Sequence, residues 1–356
     1  MEGTTHAAAV RQTAQTWIAR HPLANFIVLA YAITWTAWLG LSQVDLGVVN
    51  AFGVIGAAGP ALAAMIVSAC VQPESSGAFE VKRRQLFTVI GLLTLGCFAL
   101  RRFWLQASLV SISGRVPRPV AYPGLDTLLM DILASAVLAF ILSGIHSSRL
   151  GVRSLLHSLD LCVQPVRWYW FVVALGLYPA IILLGNTVSS LIGLPRLAHQ
   201  ATGPWYWLLL DALFMFLYVM VGGGGLEEPG WRGFALPQLL KSYSPLRSSL
   251  ILAVIWAFWH WPMFWFGYWE GGPLGVLPFV FGTVPLTILF TVIFTRTGGS
   301  LPVVIVFHTS FNITSLYLPA STLATSLWML LILGIALWMW RFPKAFSGYT
   351  LVSFSR

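Results

Sequence analysis

The chain has 356 residues, of which 58% are hydrophobic and 9% charged, with a mean hydropathy of +0.81 and a formal net charge of +9. A water-soluble protein of this length could not hide so much apolar side chain behind so few charges. The basic excess comes with no nucleic-acid motif, so it points to loops facing anionic lipid headgroups and not to RNA or DNA.

Residues 1–23 are polar, carry Arg11 and Arg20, and are expected to form a retained cytoplasmic arm and not a cleaved signal peptide. A membrane region over 24–148 follows. Its candidate spans are Ala24–Ser42, Gly47–Val71, Leu86–Leu100 and Thr127–Ile145. The third is short and runs into Arg101-Arg102, so the third and fourth could both cross or form an inserted re-entrant hairpin. The core region, 149–341, begins with an amphipathic surface helix over Val152–Leu161, where Leu155, Leu156, Leu159 and Leu161 sit among Arg, His, Ser and Asp. It continues through Trp168–Ile192, Trp205–Val221, Ser249–Phe266, Leu274–Phe294, Leu301–Tyr317 and Leu323–Trp340. Residues 342–356 form a short tail.

These runs are continuous and do not alternate with period two, so they read as helices and not barrel strands. The fold expected is an all-α, polytopic transmembrane bundle of about 8 to 10 spans. Both termini are expected to be cytoplasmic. That choice puts Lys82, Arg83 and Arg84, then Arg149, Arg153 and Arg167, then Lys241, Arg247, Arg296, Arg341 and Lys344 on one side. Arg196 is a lone exception, and Arg101, Arg102, Arg115 and Arg118 fall outside if both inserted segments cross. Cys70, Cys97 and Cys162 are scattered, without metal or redox spacing, and are expected to be reduced thiols.

Ionisable groups in such a chain need a reason. Two of its 11 acidic residues are adjacent in Leu226-Glu227-Glu228-Pro229-Gly230-Trp231-Arg232-Gly233. On a helix Glu228 and Arg232 share a face, so the guanidinium can hold one carboxylate ionised. Glu227 is rotated by about 100° from Glu228 and can face a different cavity. Divergent surroundings separate a structural anion from a general base. Pro229 and the run Gly222–Gly225 suggest a helix break there, although glycines also serve close packing.

His260 lies in Trp256-Ala257-Phe258-Trp259-His260-Trp261-Pro262, where Trp256 could clamp the ring; alone it would read as an interfacial histidine. His308 and Asn312, four apart, could stabilise an oxyanion or orient a water, or could be a polar clamp between helices. Asp211 falls on another helix face, Asp131 has no evident partner, and Ser310 lies in neither a nucleophile elbow nor a lysine dyad.

The ordered set Glu-Glu-x-x-x-Arg, aromatic-x-x-x-His and His-x-x-x-Asn resembles the CPBP family of intramembrane glutamic endopeptidases, the CAAX-protease and bacteriocin-processing group. The resemblance runs from about Arg149 to Trp340 and departs from the family pattern at Trp256, where Phe is more usual, and at 75–148, which looks inserted. It implies that Glu227 is the general base, with His260 helping to activate water. His308 and Asn312 would stabilise the oxyanion, and Glu228, Arg232 and Trp256 would order the site. No cofactor is expected. Glu227, His260 and His308 could ligate zinc in principle, but there is no His-Glu-x-x-His helix, and a metal-free site is preferred.

The implied partners are the lipid bilayer and a membrane-associated peptide or protein, lipidated or leader-bearing, in the plasma membrane. Two alternatives use the same residues: a proton-coupled transporter, or a non-catalytic family member acting as an immunity or scaffold factor.

Overall fold

The computed structural model describes residues 17–41, 49–72, 80–107, 111–112, 125–144, 150–159, 166–194, 201–202 and 204–346. Arg11, Arg115, Arg118, Arg149, Cys162, Arg196, the end of the amphipathic segment at Leu161 and the tail from 347 lie outside the described residues.

The chain is a helical bundle. In order, the helices are α1 (Pro22–Leu41), α2 (Val49–Val71), α3 (Glu80–Ala107), α4 (Leu125–Ser143), α5 (Leu150–His157), α6 (Tyr169–Leu191) and α7 (Trp205–Gly222). Then come the short α8 (Glu228–Gly230) and α9 (Leu236–Leu240), followed by α10 (Pro245–Trp259), α11 (Trp261–Trp265), α12 (Val276–Arg296), α13 (Leu301–Tyr317) and α14 (Thr322–Arg341). One departure from an all-helical chain is a two-residue antiparallel ladder pairing Ser111 with Thr202 and Ile112 with Ala201, in segments that connect spans.

Among the described residues, eight helical stretches are long and apolar enough to cross a membrane, and Leu301–Tyr317 and 131–143 are shorter apolar helices. This is a multi-pass membrane protein. Its outer faces carry unpaired apolar side chains at helical spacing, such as Leu209, Leu213 and Leu217 on α7 and Leu330, Leu333 and Leu337 on α14. Such stripes suit lipid, not water.

Two backbone carbonyls freed by prolines inside the bundle are paired by neighbouring helices. Pro60 interrupts α2 and deprives the Gly56 carbonyl of its helical donor; the Thr34 hydroxyl of α1 donates to it at 2.7 Å. Pro179 does the same to Leu175 in α6, and Ser310 of α13 supplies the donor at 2.6 Å. Ser310, passed over as a nucleophile, thus has a structural partner.

Two boundaries differ from the sequence expectation. The short third span is part of a 28-residue helix, α3, packed against α4. The span expected over Ser249–Phe266 is broken at His260 (φ −80°, ψ −1°), because Pro262 offers no N–H and disfavours helical geometry just before it. The amphipathic segment forms α5. It buries Val152 and Leu155 and closes on α13 through a Leu301 N–H to Ser158 carbonyl bond of 3.0 Å.

Candidate active site

The Glu-Glu segment follows a real break. Gly223 leaves the helix at φ −133°, ψ −131°; residues 224–227 form a 3-10 turn, α8 follows, and 231–235 form a π-helical turn before α9. The widened turn lets Arg232 point back at Glu228 while the chain continues, a local irregularity of the kind that recurs at functional sites.

Glu228 and Arg232 are fully buried, and Arg232 Nη1 donates to Glu228 Oε1 at 2.8 Å. The guanidinium carbon lies 3.7 Å from the ring centroid of Phe290 and 4.5 Å from that of Trp256, so a corner of two nearly perpendicular rings replaces water around the cation. The same Glu228 oxygen also accepts a 2.6 Å bond from His308 Nδ1. A carboxylate held by Arg232 can only accept, so Nδ1 carries the proton and His308 Nε2 is left for the site.

Glu227 has a different partner. Its Oε2 accepts from the indole N–H of Trp256 at 2.7 Å, and no other side-chain bond fixes it among the described residues. Trp256 is therefore more than a ring clamp. Its backbone carbonyl also takes the His260 Nδ1–H at 2.9 Å, which sets the tautomer and leaves Nε2 as the basic nitrogen.

Glu227, Trp256, His260, His308 and Asn312 line one cavity of about 870 Å³, while Glu228 and Arg232 stand behind its wall. His308 Nε2 and Asn312 Nδ2 lie 2.6 and 2.8 Å from the point that a Cβ on Gly224 would occupy. Two potential donors thus converge beside a residue without a side chain. All seven residues singled out from sequence are brought together. Gly224 was read only as part of the run Gly222–Gly225, and Phe290 and the cavity residues Tyr268, Trp269 and Glu270 were not singled out. Asp211, read as facing elsewhere, accepts from the Tyr317 hydroxyl between α7 and α13. Asp131 is buried on α4 and has an interaction within the bundle.

Among the described residues, no three His, Cys, Asp or Glu side chains converge as a group that could hold a metal ion.

Residues 209–314 match the family described as type II CAAX prenyl endopeptidase Rce1-like. Over this stretch the chain is similar to that family. The matched stretch includes Glu227, Glu228, Arg232, Trp256, His260, His308 and Asn312, and is narrower than the stretch from Arg149 to Trp340 over which the resemblance was read. The chain is also similar to CAAX prenyl protease 2 of Methanococcus maripaludis, with 26% identity over 148 residues. This similarity covers 38% of the chain and 52% of the relative, so the chain spans about half the length of that protein.

Proposed function

We propose that the protein is an intramembrane endopeptidase of the plasma membrane, and that its 149–341 core hydrolyses peptide bonds of membrane-associated substrates, lipidated C-termini among them. The observation that carries this reading is the division of labour between adjacent carboxylates. Glu228 is fully buried behind the cavity wall with its Oε1 bonded to both Arg232 and His308, whereas Glu227 faces the cavity and keeps one oxygen for a water.

In this mechanism Glu227 removes a proton from water, whose second O–H donates to His260 Nε2. The hydroxide oxygen bonds to the scissile carbonyl carbon. The developing oxyanion accepts from protonated His308 Nε2 and from Asn312 Nδ2. When the intermediate collapses the C–N bond breaks, and Glu227 returns its proton to the leaving amine. The Glu228 carboxylate offsets charge on the His308 ring, and Arg232 balances Glu228. No step requires a metal.

The test is cleavage of a farnesylated peptide by the purified protein in nanodiscs. Glu227→Ala should lower turnover by at least about 10³-fold without loss of the folded protein. Wild-type turnover should survive chelators. Normal turnover by Glu227→Ala would sink the assignment. Membrane proteomics of cells carrying Glu227→Ala should show the natural substrates accumulating uncut.

A further inference from the structure

Glu227 is not the only carboxylate on the cavity wall: Glu270 lines it too, and none of the described lining residues is Lys or Arg. In a chain of net charge +9 this cavity is locally acidic, and a low-dielectric wall focuses such a field on incoming cations.

Glu270 is exposed, in the loop between α11 and the 3-10 turn Gly272–Gly275. The loop reverses at Gly267, Gly271 and Gly272, whose φ angles of 73°, 99° and 58° suit glycine. It is nevertheless anchored. The Trp269 N–H donates to the Met263 carbonyl at 2.9 Å, and the Trp261 indole donates to the Pro273 carbonyl at 3.0 Å. The Trp269 ring stacks on His260, with centroids 5.2 Å apart and planes at 24°, and packs against Phe264 and Phe279. Glu270 is thus tethered one residue from a side chain that touches a proposed catalytic ring. Its carboxylate makes no ion pair or hydrogen bond among the described residues.

An unpaired carboxylate on the same stretch of cavity wall as Tyr268 and Trp269 is suited to an ammonium or guanidinium group. We infer that Glu270, Tyr268 and Trp269 form a specificity site that selects a Lys or Arg side chain a few residues from the scissile bond. This inference rests on the peptidase reading of Glu227 and adds a substrate class to it. A dry hydrophobic cavity would choose by shape alone; this one adds a charge requirement at its mouth.

The test uses wild-type, Glu270→Gln and Glu270→Lys proteins in nanodiscs. Each is given a pool of N-acetylated, lipid-anchored peptides bearing Lys, Arg, Gln or Glu at each position in turn, and products are read by mass spectrometry. At one position the wild type should favour Lys and Arg over Gln by roughly three- to tenfold. Glu270→Gln should abolish that ratio, and Glu270→Lys should invert it toward Glu. The ratio is insensitive to any change in overall rate. Equal ratios in all three proteins would overturn the inference. The same pool left unacetylated is run in parallel, and a preference seen only there would also overturn the inference, by assigning the cation to the amino terminus. Failure of wild type to cleave any peptide strikes the peptidase reading instead. In that case thermophoresis of an acetylated Arg peptide on wild type and Glu270→Gln decides the cation site, and equal affinities count against it.

Discussion

Glu227 and Glu228 are neighbours in sequence but not in chemistry. One has a single oxygen bonded to both Arg232 and His308; the other holds a single indole bond. The convergence of His308 and Asn312 depends on Gly224, because a Cβ there would sit 2.6 Å from His308 Nε2 and 2.8 Å from Asn312 Nδ2. His308 cannot yield easily, since its other nitrogen is bonded to Glu228. Gly224→Ala should therefore misplace both donors and lower kcat by about 10²-fold, in keeping with the sensitivity of oriented sites to small shifts. The readout is kcat on protein that elutes as a folded species; unchanged kcat would remove His308 and Asn312 from the oxyanion role. The spacing of four between Glu228 and Arg232, and between His308 and Asn312, made both pairs legible from sequence. The role of Gly224 was not legible, because a glycine run on its own reads more readily as close packing than as part of a site. Its importance comes from α13 passing over it, a contact between residues more than 80 positions apart in the chain that no local pattern encodes.

At the scale of elements, apolar run length was a reliable guide to where helices lie, because lipid forces every backbone group into internal bonds. It was a poor guide to where they break. The break at His260 follows from Pro262, and the break at Gly223 from the glycine run, yet the π turn over 231–235 has no comparable signature. Contacts between elements were invisible too. α8 approaches α2 so closely that a Cβ on Gly230 would lie 2.4 Å from the Pro60 Cβ and 2.5 Å from its carbonyl atoms. Gly230→Ala must push α2 away and should destabilise the protein by about 1–3 kcal/mol, measured by denaturant unfolding in detergent. Gly176 on α6 is the control, because a Cβ there meets nothing within 4 Å. Gly176→Ala should be neutral or stabilising by up to about 1 kcal/mol, through helix propensity alone. Equal losses at both positions would mean that packing against Pro60 is not what Gly230 serves.

At the scale of the whole molecule, the question is which end of the bundle the cavity meets. The stretch Pro245–Trp265 is apolar and 21 residues long, enough to cross a core of about 30 Å. Lys241 and Arg247 stand at its start, and the loop carrying Tyr268, Trp269 and Glu270 stands at its end. The basic loops should be cytoplasmic, so the Glu270 loop should face the other side. Lys241 and Leu274 are exposed positions flanking this span, suited to reporting on it. In a protein freed of Cys70, Cys97 and Cys162, Leu274→Cys should react with a membrane-impermeant maleimide on intact cells. Lys241→Cys should react only after permeabilisation. Reaction of both from one side would show that α10 and α11 turn back within the bilayer instead of crossing it. A peptide would then have to reach Glu227 from the face that carries the basic loops, and the acidic residue at the cavity mouth would sit among cations that compete with the substrate for it.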